Sequence, residues 1–460
     1  MNFPALTPAF CAANGIIIIR NDDKTICFGL LDASDIVLQK RVKKAFPDYQ
    51  CVFSELKSDS FNLKLSQLFS EEQTTDASLS RDSRETIIDK IADDAPVVNL
   101  LNSIFLEAIS KRASDIHIES GDSQSIIRFR VDGLLTTIKS ISPERAIAVS
   151  SRLKILANLN VLENRRPQDG HIDVKTDSYS LDVRISIVPT IWGESIVLRL
   201  LNRSDSPLDL DSLGFSALNT VHLQKIKNIK TGLILATGPT GSGKTTTLTA
   251  ILKKLNTGNT KIISIEDPVE YKTEGITQVQ VHEELQLTFD AILRRLFRQD
   301  PDIIMVGEIR DIETAELAVR AALTGHLVLA TLHTNNAIEA VYRLQNMGIP
   351  AYMVAAVLRI VIAQRLLRKT CLECFAKGCN YCSLTGYWGR TATAEIISLD
   401  LELSDMIAGN CSSEQLRRHL QKRNFKTIFD DAKEKTALNT TTEAEIRREL
   451  GNEVPIRGDL

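Results

Sequence analysis

The chain has 460 residues, a formal net charge of −3 and 25% charged residues, enough length for two or three domains, each with its own core. This balance argues against a protein that holds nucleic acid by bulk positive charge, while leaving local basic patches open. No window reaches about 18 uninterrupted apolar residues; the longest candidate, Ala351 to Leu367, is broken by Arg359 and Arg365, and Met1 to Ile19 carries no basic leader, so a soluble, intracellular chain is expected.

Residues 1–69 alternate short apolar runs (Ile16 to Ile19, Ile26 to Leu31, Cys51 to Phe53) with polar turns, which predicts a small α/β module without recognisable chemistry. Residues 70–93 follow as a linker. Within them Glu71 to Glu85 holds no aromatic and one leucine, too little apolar area to offset the entropy of ordering, so a flexible segment is expected.

A second module, 94–203, opens with Pro96 in the first turn of a helix whose apolar face is Val97, Leu100, Leu101, Ile104, Phe105 and Ala108, as proline permits at a helix start. Alternation over Ser114 to Glu119 reads as a strand. Arg128 to Val131 turns at Asp132-Gly133 into Leu134, a hairpin signal. A helical stretch (Glu144 to Leu159) and strand-like runs at Gly170 to Val174, Leu181 to Ile185 and Ser195 to Leu201 complete a small α/β domain with antiparallel pairing. Arg184 shares a face with Asp182 and Ser186, and Arg199 interrupts an apolar run. Each is either a solvated or ion-paired side chain or a guanidinium held for a ligand.

After a polar bridge (Asn202 to Leu213), residues 204–460 alternate apolar strands (Leu233 to Ala236, Lys261 to Ile265, Ile303 to Val306, Leu327 to Thr331) with helical stretches. That pattern predicts a mostly parallel sheet with helices on its faces and ligands at the strand carboxyl ends. The first of these strands runs into Gly238-Pro239-Thr240-Gly241-Ser242-Gly243-Lys244-Thr245-Thr246 and then a helix, the context that separates a phosphate-binding loop from an ordinary glycine-rich turn. The glycines allow backbone N–H groups to turn inward around a phosphate, and the helix aims its positive end there. Lys244 reaches the β/γ-phosphates of a nucleoside triphosphate and the Thr245 hydroxyl ligates Mg²⁺ in this reading.

Acids follow the next two strands: Glu266, Asp267 and Glu270 after one, Glu308 after the other. By position Glu308 takes the role of orienting water or hydrated Mg²⁺, with Glu270 assisting; a lone acid there would read as a helix cap. His326 and His333 bracket the following strand, and His333, at its carboxyl end, is the better placed phosphate sensor. Arg294, Arg295 and Arg298 form a basic helix face suited to transferred-phosphate charge or simply to solvent. Cys371, Cys374, Cys379 and Cys382, four of eight cysteines, make two Cys-x-x-Cys hooks. They read as structural Zn²⁺ ligands, with redox thiols or an iron–sulfur cluster as alternatives.

The run of motifs Arg112 to His117, Phe129 to Gly133, Gly238 to Thr245, Ile265 to Glu270, Arg298 to Asp302, Gly307 to Asp311, Thr324 to His326, Thr331 to Asn335 and the tetracysteine resembles the secretion and pilus-assembly ATPases, which power type II secretion and type IV pilus extension. The resemblance implies a RecA-like ATPase domain behind a PAS-like second domain, a docking module at the N-terminus and a zinc knuckle at 371–382. It implies a cytoplasmic homo-hexamer, peripheral to the inner membrane through a platform protein, that assembles pilin or pseudopilin fibres, and it maps family arginines onto Arg184, Arg199, Arg294 and Arg298. Glu266 to Glu270 become the acidic box, Glu308 the principal catalytic acid, and His326 and His333 the histidine box. The short spacer between the cysteine pairs departs from the family pattern. Retraction ATPases typically lack the tetracysteine, which disfavours retraction. Two other readings remain: a nucleic-acid-translocating motor, against which the net charge argues, and an ATP-binding scaffold without turnover, against which the intact Lys244 and Glu308 argue.

Overall fold

A computed structural model describes residues 16–22, 25–30, 39, 42–43, 49–56, 95–175, 180–202 and 209–451. The expected linker, 70–93, lies outside them, as does half of the polar bridge, 203–208. The described residues divide into two compact units. One holds those up to Phe129 with Thr136–Ile172 and Arg184–Arg199; the other holds Arg130–Leu135, Asp173–Val183 and everything from Leu200 onward.

In the first unit β1 (Ile16–Asp22) pairs antiparallel with β2 (Thr25–Leu30), which pairs parallel with β3 (Gln50–Glu55). Their apolar runs bury Ile16, Ile26, Phe28 and Leu30, and Phe28 stacks on Phe53 with ring centroids 5.4 Å apart. Helix α1 (Ala95–Ser110) buries Val97, Leu101, Ile104, Phe105 and Ala108, the face its periodicity foretold.

A six-stranded sheet has the order β6-β5-β4-β9-β8-β7, from β4 (Asp115–Glu119), β5 (Ser125–Val131), β6 (Leu134–Ile141), β7 (Gln168–Lys175), β8 (Ser180–Thr190) and β9 (Gly193–Asn202). The β5–β6 turn places Asp132 at φ 48° and Gly133 at φ 90°, the two positive angles that a twist-matched two-residue hairpin needs. Helix α2 (Pro143–Leu156) stops short of the expected Leu159: Asn158 takes φ 55°, and Leu159 N–H closes back onto Lys154 O at 2.8 Å.

The second unit is built on a seven-stranded sheet, order β12-β11-β13-β14-β10-β15-β16. Its strands are β10 (Gly232–Thr237), β11 (Ile262–Glu266), β12 (Thr277–Gln280), β13 (Ile303–Val306), β14 (Leu327–Leu332), β15 (Leu358–Thr370) and β16 (Tyr387–Ser398). All neighbours pair parallel except β15 with β16. Continuous apolar runs are explained by two cores, one on each face. Leu233 and Leu235 join one and Ile234 and Ala236 the other, because successive side chains of a strand point to opposite faces. Helices α3 (Ala217–Lys225) and α4 (Lys244–Leu255) cover one face. On the other lie α5 (Phe289–Leu296), α6 (Ile312–Leu323), α7 (Ala337–Asn346), α8 (Ala351–Val357), α9 (Leu401–Ala408) and α10 (Ser413–Lys422). The long apolar run beginning at Ala351 therefore splits, at Leu358, into a short helix and an interior strand of the sheet. Among the described residues no helix is long and apolar enough to cross a membrane.

Two further helices, α11 (Ile428–Ala437) and α12 (Glu443–Leu450), close the second unit. Glu445, on α12, has a fully buried side chain that takes hydrogen bonds from Arg368 on β15 and from Arg448. Although burial alone would raise its pKa, those guanidinium bonds hold the carboxyl down to about 2.

Candidate active site at the carboxyl edge of the sheet

The parallel register fixes which residues meet. Thr237 ends β10 opposite Leu332, the end of β14, so the loop after β10 and the segment His333 to Asn336 leave the sheet side by side. Their link is explicit: Thr237 Oγ1 lies 2.7 Å from Thr334 Oγ1 and accepts Thr334 N–H at 2.9 Å.

The glycine loop has the backbone that its sequence predicts. Gly241 and Gly243 take φ of 80° and 85°. At Gly238, φ 149°, a Cβ would come within 2.5 Å of Ser242 Oγ and 2.6 Å of Gln364 O, so any larger residue is excluded. Gly243 is the left-handed N-cap of α4 and no side chain caps the helix, which leaves its leading N–H groups to an anion. The buried Ser242 hydroxyl has no hydrogen-bond partner among the described residues. Both features fit a bound phosphate. Pro239, Thr240 and Gly241 are exposed, and Thr245 and Thr246 are half-buried in the first turn of α4.

Lys244 is 8% exposed and folds back to donate to Gly238 O at 2.8 Å and Pro239 O at 3.1 Å. Burial pushes its pKa down to about 8, against the opposing pull of the Glu308 charge. Glu308 follows β13 on a tightly held turn. Gly307 N–H donates to Ile265 O at 2.8 Å, Thr331 Oγ1 donates to Gly307 O at 2.5 Å, and Ile309 N–H donates to Thr331 O at 3.0 Å. The Glu308 carboxylate takes His333 Nε2 at 2.8 Å on one oxygen and Arg310 Nε at 2.7 Å on the other. Burial, then the Lys244 charge, lower the pKa of His333 even though Glu308 pulls it up, so the neutral imidazole donates Nε2–H to the carboxylate.

Glu266, at the end of β11, is 4% exposed and accepts from Ser264 Oγ at 2.6 Å and Gln278 Nε2 at 3.0 Å; its Oε1 is committed to bonds within the sheet. Glu270 lies exposed on the loop beyond it. Lys244, Glu308 and His333 are thus brought together, as the strand positions predicted.

His326 stands at the other end of β14: its carbonyl accepts Gly232 N–H at 3.1 Å and its Nδ1 lies 2.9 Å from Ala321 O. Phe297, beside Arg298, packs 6.1 Å from the His326 ring. Arg294 is exposed and within 3.5 Å of Asp290. The amino edge of the sheet therefore carries His326, and the carboxyl edge His333. Arg184 and Arg199 belong to the first unit, where Arg199 Nε pairs with Asp115 Oδ1 at 3.0 Å.

Three side chains that sequence reasoning did not single out shape the site. Gln364 Nε2 donates to Ser242 O at 2.7 Å, and the neighbouring Arg365, 2% exposed, donates to Asn335 O at 3.0 Å. Both come from β15, whose parallel pairing with β10 no local pattern announced. The third is Arg310.

The four cysteines converge beyond β15. Sγ atoms lie 3.8 Å apart for Cys371 and Cys379, and 3.7 Å apart for Cys374 and Cys382 and for Cys379 and Cys382. A tetrahedron of about 2.3 Å Zn–S bonds has edges of roughly 3.8 Å, so the donor set fits zinc and is far too open for disulfides. Gly378 N–H donates to Cys374 Sγ at 3.2 Å, and Cys379 and Gly386 N–H donate to Cys382 Sγ at 3.3 and 3.2 Å, the second shell that steadies thiolates.

Comparison with known proteins gives a consistent result. Residues 90–448 match the model of the family described as type II/IV secretion system protein. The type II secretion system protein HxcR of Pseudomonas aeruginosa is 39% identical over 85% of this chain and 88% of its own length. The type IV pilus assembly ATPase PilB of Myxococcus xanthus is 41% identical over 83% and 72%, and the type II secretion system ATPase E of Vibrio cholerae is 41% identical over 77% and 76%. Among solved structures, the pilus retraction motor PilT with bound ADP is 27% identical, with a TM-score of 0.55, over 75% of this chain and 95% of that one. The ATPase DotB of Legionella pneumophila shares the fold, with a TM-score of 0.61 over 76% and 94%, at 23% identity.

Proposed function

The chain belongs to the type II/IV secretion system protein family, and on that premise we propose that it is a cytoplasmic hexameric ATP hydrolase that drives assembly of pilin or pseudopilin fibres through an inner-membrane platform protein. The observation that carries the reading is the meeting, at one sheet edge, of an uncapped helix start behind a three-glycine loop, Lys244 on that helix, and Glu308 held by His333. An ADP-bound relative with the same fold supports a nucleotide there.

In the mechanism the loop N–H groups and Lys244 bind the phosphates, Lys244 exchanging its bonds to Gly238 and Pro239 for phosphate oxygens. Mg²⁺, held by the Thr245 hydroxyl, supplies charge neutralisation on the phosphate oxygens when bound. Glu308 orients the attacking water, with Glu270 and His333 assisting. Arg184, Arg199, Arg294 and Arg298 contribute charge around the transferred phosphate in the hexamer, and His326 completes the histidine box with His333. In this reading residues 1–69 serve docking, 70–93 a linker, 94–203 a PAS-like domain and 204–460 a RecA-like ATPase domain. Cys371, Cys374, Cys379 and Cys382 hold structural Zn²⁺.

The test is Mg²⁺-dependent ATP hydrolysis by the purified chain and its Glu308→Gln form, with assembly followed by light scattering. Turnover that accompanies a hexamer and drops at least about a hundredfold in Glu308→Gln is expected. Equal rates in the two forms would remove Glu308 from the chemistry.

A further inference from the structure

Arg310 is not part of the glycine loop, the acidic residues or the histidines, yet it joins two of the acids that follow different strands. Its Nε lies 2.7 Å from Glu308 Oε2, and another nitrogen of the same guanidinium, NH1, lies 3.5 Å from Asp267 Oδ2. Asp267 follows β11 and Glu308 follows β13, and those two strands are neighbours in the sheet. A single planar fork therefore spans the gap between the acidic loop and the carboxylate assigned to water.

The backbone beneath Arg310 is fixed on both sides. Gly307 and Ile309 are tied to Ile265 O and Thr331 O, and Asp311 caps α6 by accepting Thr314 N–H at 2.7 Å. Gly307 has no alternative there, since a Cβ would sit 2.9 Å from Ile265 O. With the turn held, the remaining freedom of Glu308 is the rotation of its side chain, and its two oxygens are held by different groups, His333 and Arg310. His333 comes from the β14 side and Arg310 carries the connection to the β11 side.

We infer that Arg310 is a positioning residue through which the acidic loop after β11 sets the orientation of the Glu308 carboxylate. The inference rests on the hydrolase reading above. It does not place Arg310 on the nucleotide. Movement of the loop that carries Asp267 and Glu270 would pull on Arg310 and turn Glu308, so the loop acts on turnover rather than on affinity. Lysine cannot substitute, because a single ammonium lacks the two separated donors that reach two carboxylates at once.

The experiment compares Arg310→Ala, Arg310→Lys, Asp267→Asn and the Arg310→Ala/Asp267→Asn double variant as purified full-length chains. It measures kcat, KM, the affinity for ADP and the thermal midpoint. Arg310→Ala is expected to lower kcat between about 10- and 100-fold with ADP affinity within about twofold of the parent. Arg310→Lys should keep the parent's thermal midpoint and still turn over well below it. Asp267→Asn should lower kcat less, and add little to Arg310→Ala, as residues acting through one bridge do. Fully additive effects, full activity of Arg310→Lys, or a loss of ADP affinity as large as the loss of kcat would overturn the inference. If Arg310→Ala does not fold, Asp267→Asn and Arg310→Lys test the same bridge. A parent without hydrolysis, or one indifferent to Glu308→Gln, defeats the hydrolase reading itself; an active parent whose rate survives Arg310→Ala defeats only the role of Arg310.

Discussion

The glycine loop and the cysteine knuckle are both short motifs announced by spacing, but they are held in opposite ways. The loop is a strand-to-helix corner inside the sheet, flanked by Leu235 and Ala236 on one side and Leu248 on the other, all fully buried. The knuckle has almost no core. Cys371 and Cys382 are buried, but Leu372, Phe375 and Leu384 are 82%, 70% and 74% exposed, and Phe375 and Leu384 take left-handed angles of 49° and 63°, which cost bulky residues of order 1 kcal/mol or more each. One motif is supported by the fold around it; the other, in the zinc reading, would be supported by its ion. The first borrows its stability, and the second carries its own.

Chelation draws that contrast most sharply. Stripping the metal from Cys371, Cys374, Cys379 and Cys382 should abolish amide protection across 371–386 in hydrogen exchange, since zinc binding of about 10 kcal/mol or more is folding energy for such a unit. Protection in β10 and β14 should remain. Loss of protection throughout the second unit would show that the knuckle supports the sheet and would break the comparison.

Gly238→Ala probes the other half. Because its Cβ would press on Ser242 Oγ and Gln364 O, the loop must shift, and nucleotide affinity should fall by about 2 to 3 kcal/mol, roughly 30- to 150-fold. Titration calorimetry with ADP reads this directly. The knuckle's protection should not change.

The smallest effect is in pH. Lys244 has its pKa lowered to about 8 in the nucleotide-free chain, and a bound phosphate would raise it. Binding then takes up a proton between about pH 8 and the higher pKa of the bound state, so the Lys244 contribution to affinity is level below that window and falls across it, by up to about tenfold per unit. An affinity for ADP that stays flat from pH 7 to 10 would remove Lys244 from phosphate binding.

Much of the site was legible beforehand because its signals are local. The strand before Gly238 runs one residue further at each end than the apolar stretch Leu233 to Ala236, and the acids and His333 follow from counting strand ends. What stayed hidden depends on which strands become neighbours. Gln364 and Arg365 sat in an apolar run whose charged residues looked like interruptions, until β15 paired with β10 and set them under the loop and beside Asn335. Arg310 was visible as a letter of a motif, but its bridge exists only because β11 and β13 are adjacent. Sequence order also separated His326 from His333 correctly, yet it could not say that Phe297 and Arg298 share the far edge with His326.

The strand β15 reaches both motifs. Gln364 touches the loop, and Cys371 begins one residue after the strand ends at Thr370, roughly 20 Å further along the extended backbone. A load applied to the knuckle along this direction would slide β15 against β10 and strain their ladder bonds together rather than opening them one by one. Such a strand is a stiff rod in tension, and midway along it lies the Gln364 contact that supports Ser242. In a machine that pushes on other proteins, that rod gives resistance at the periphery a direct line to the phosphate loop.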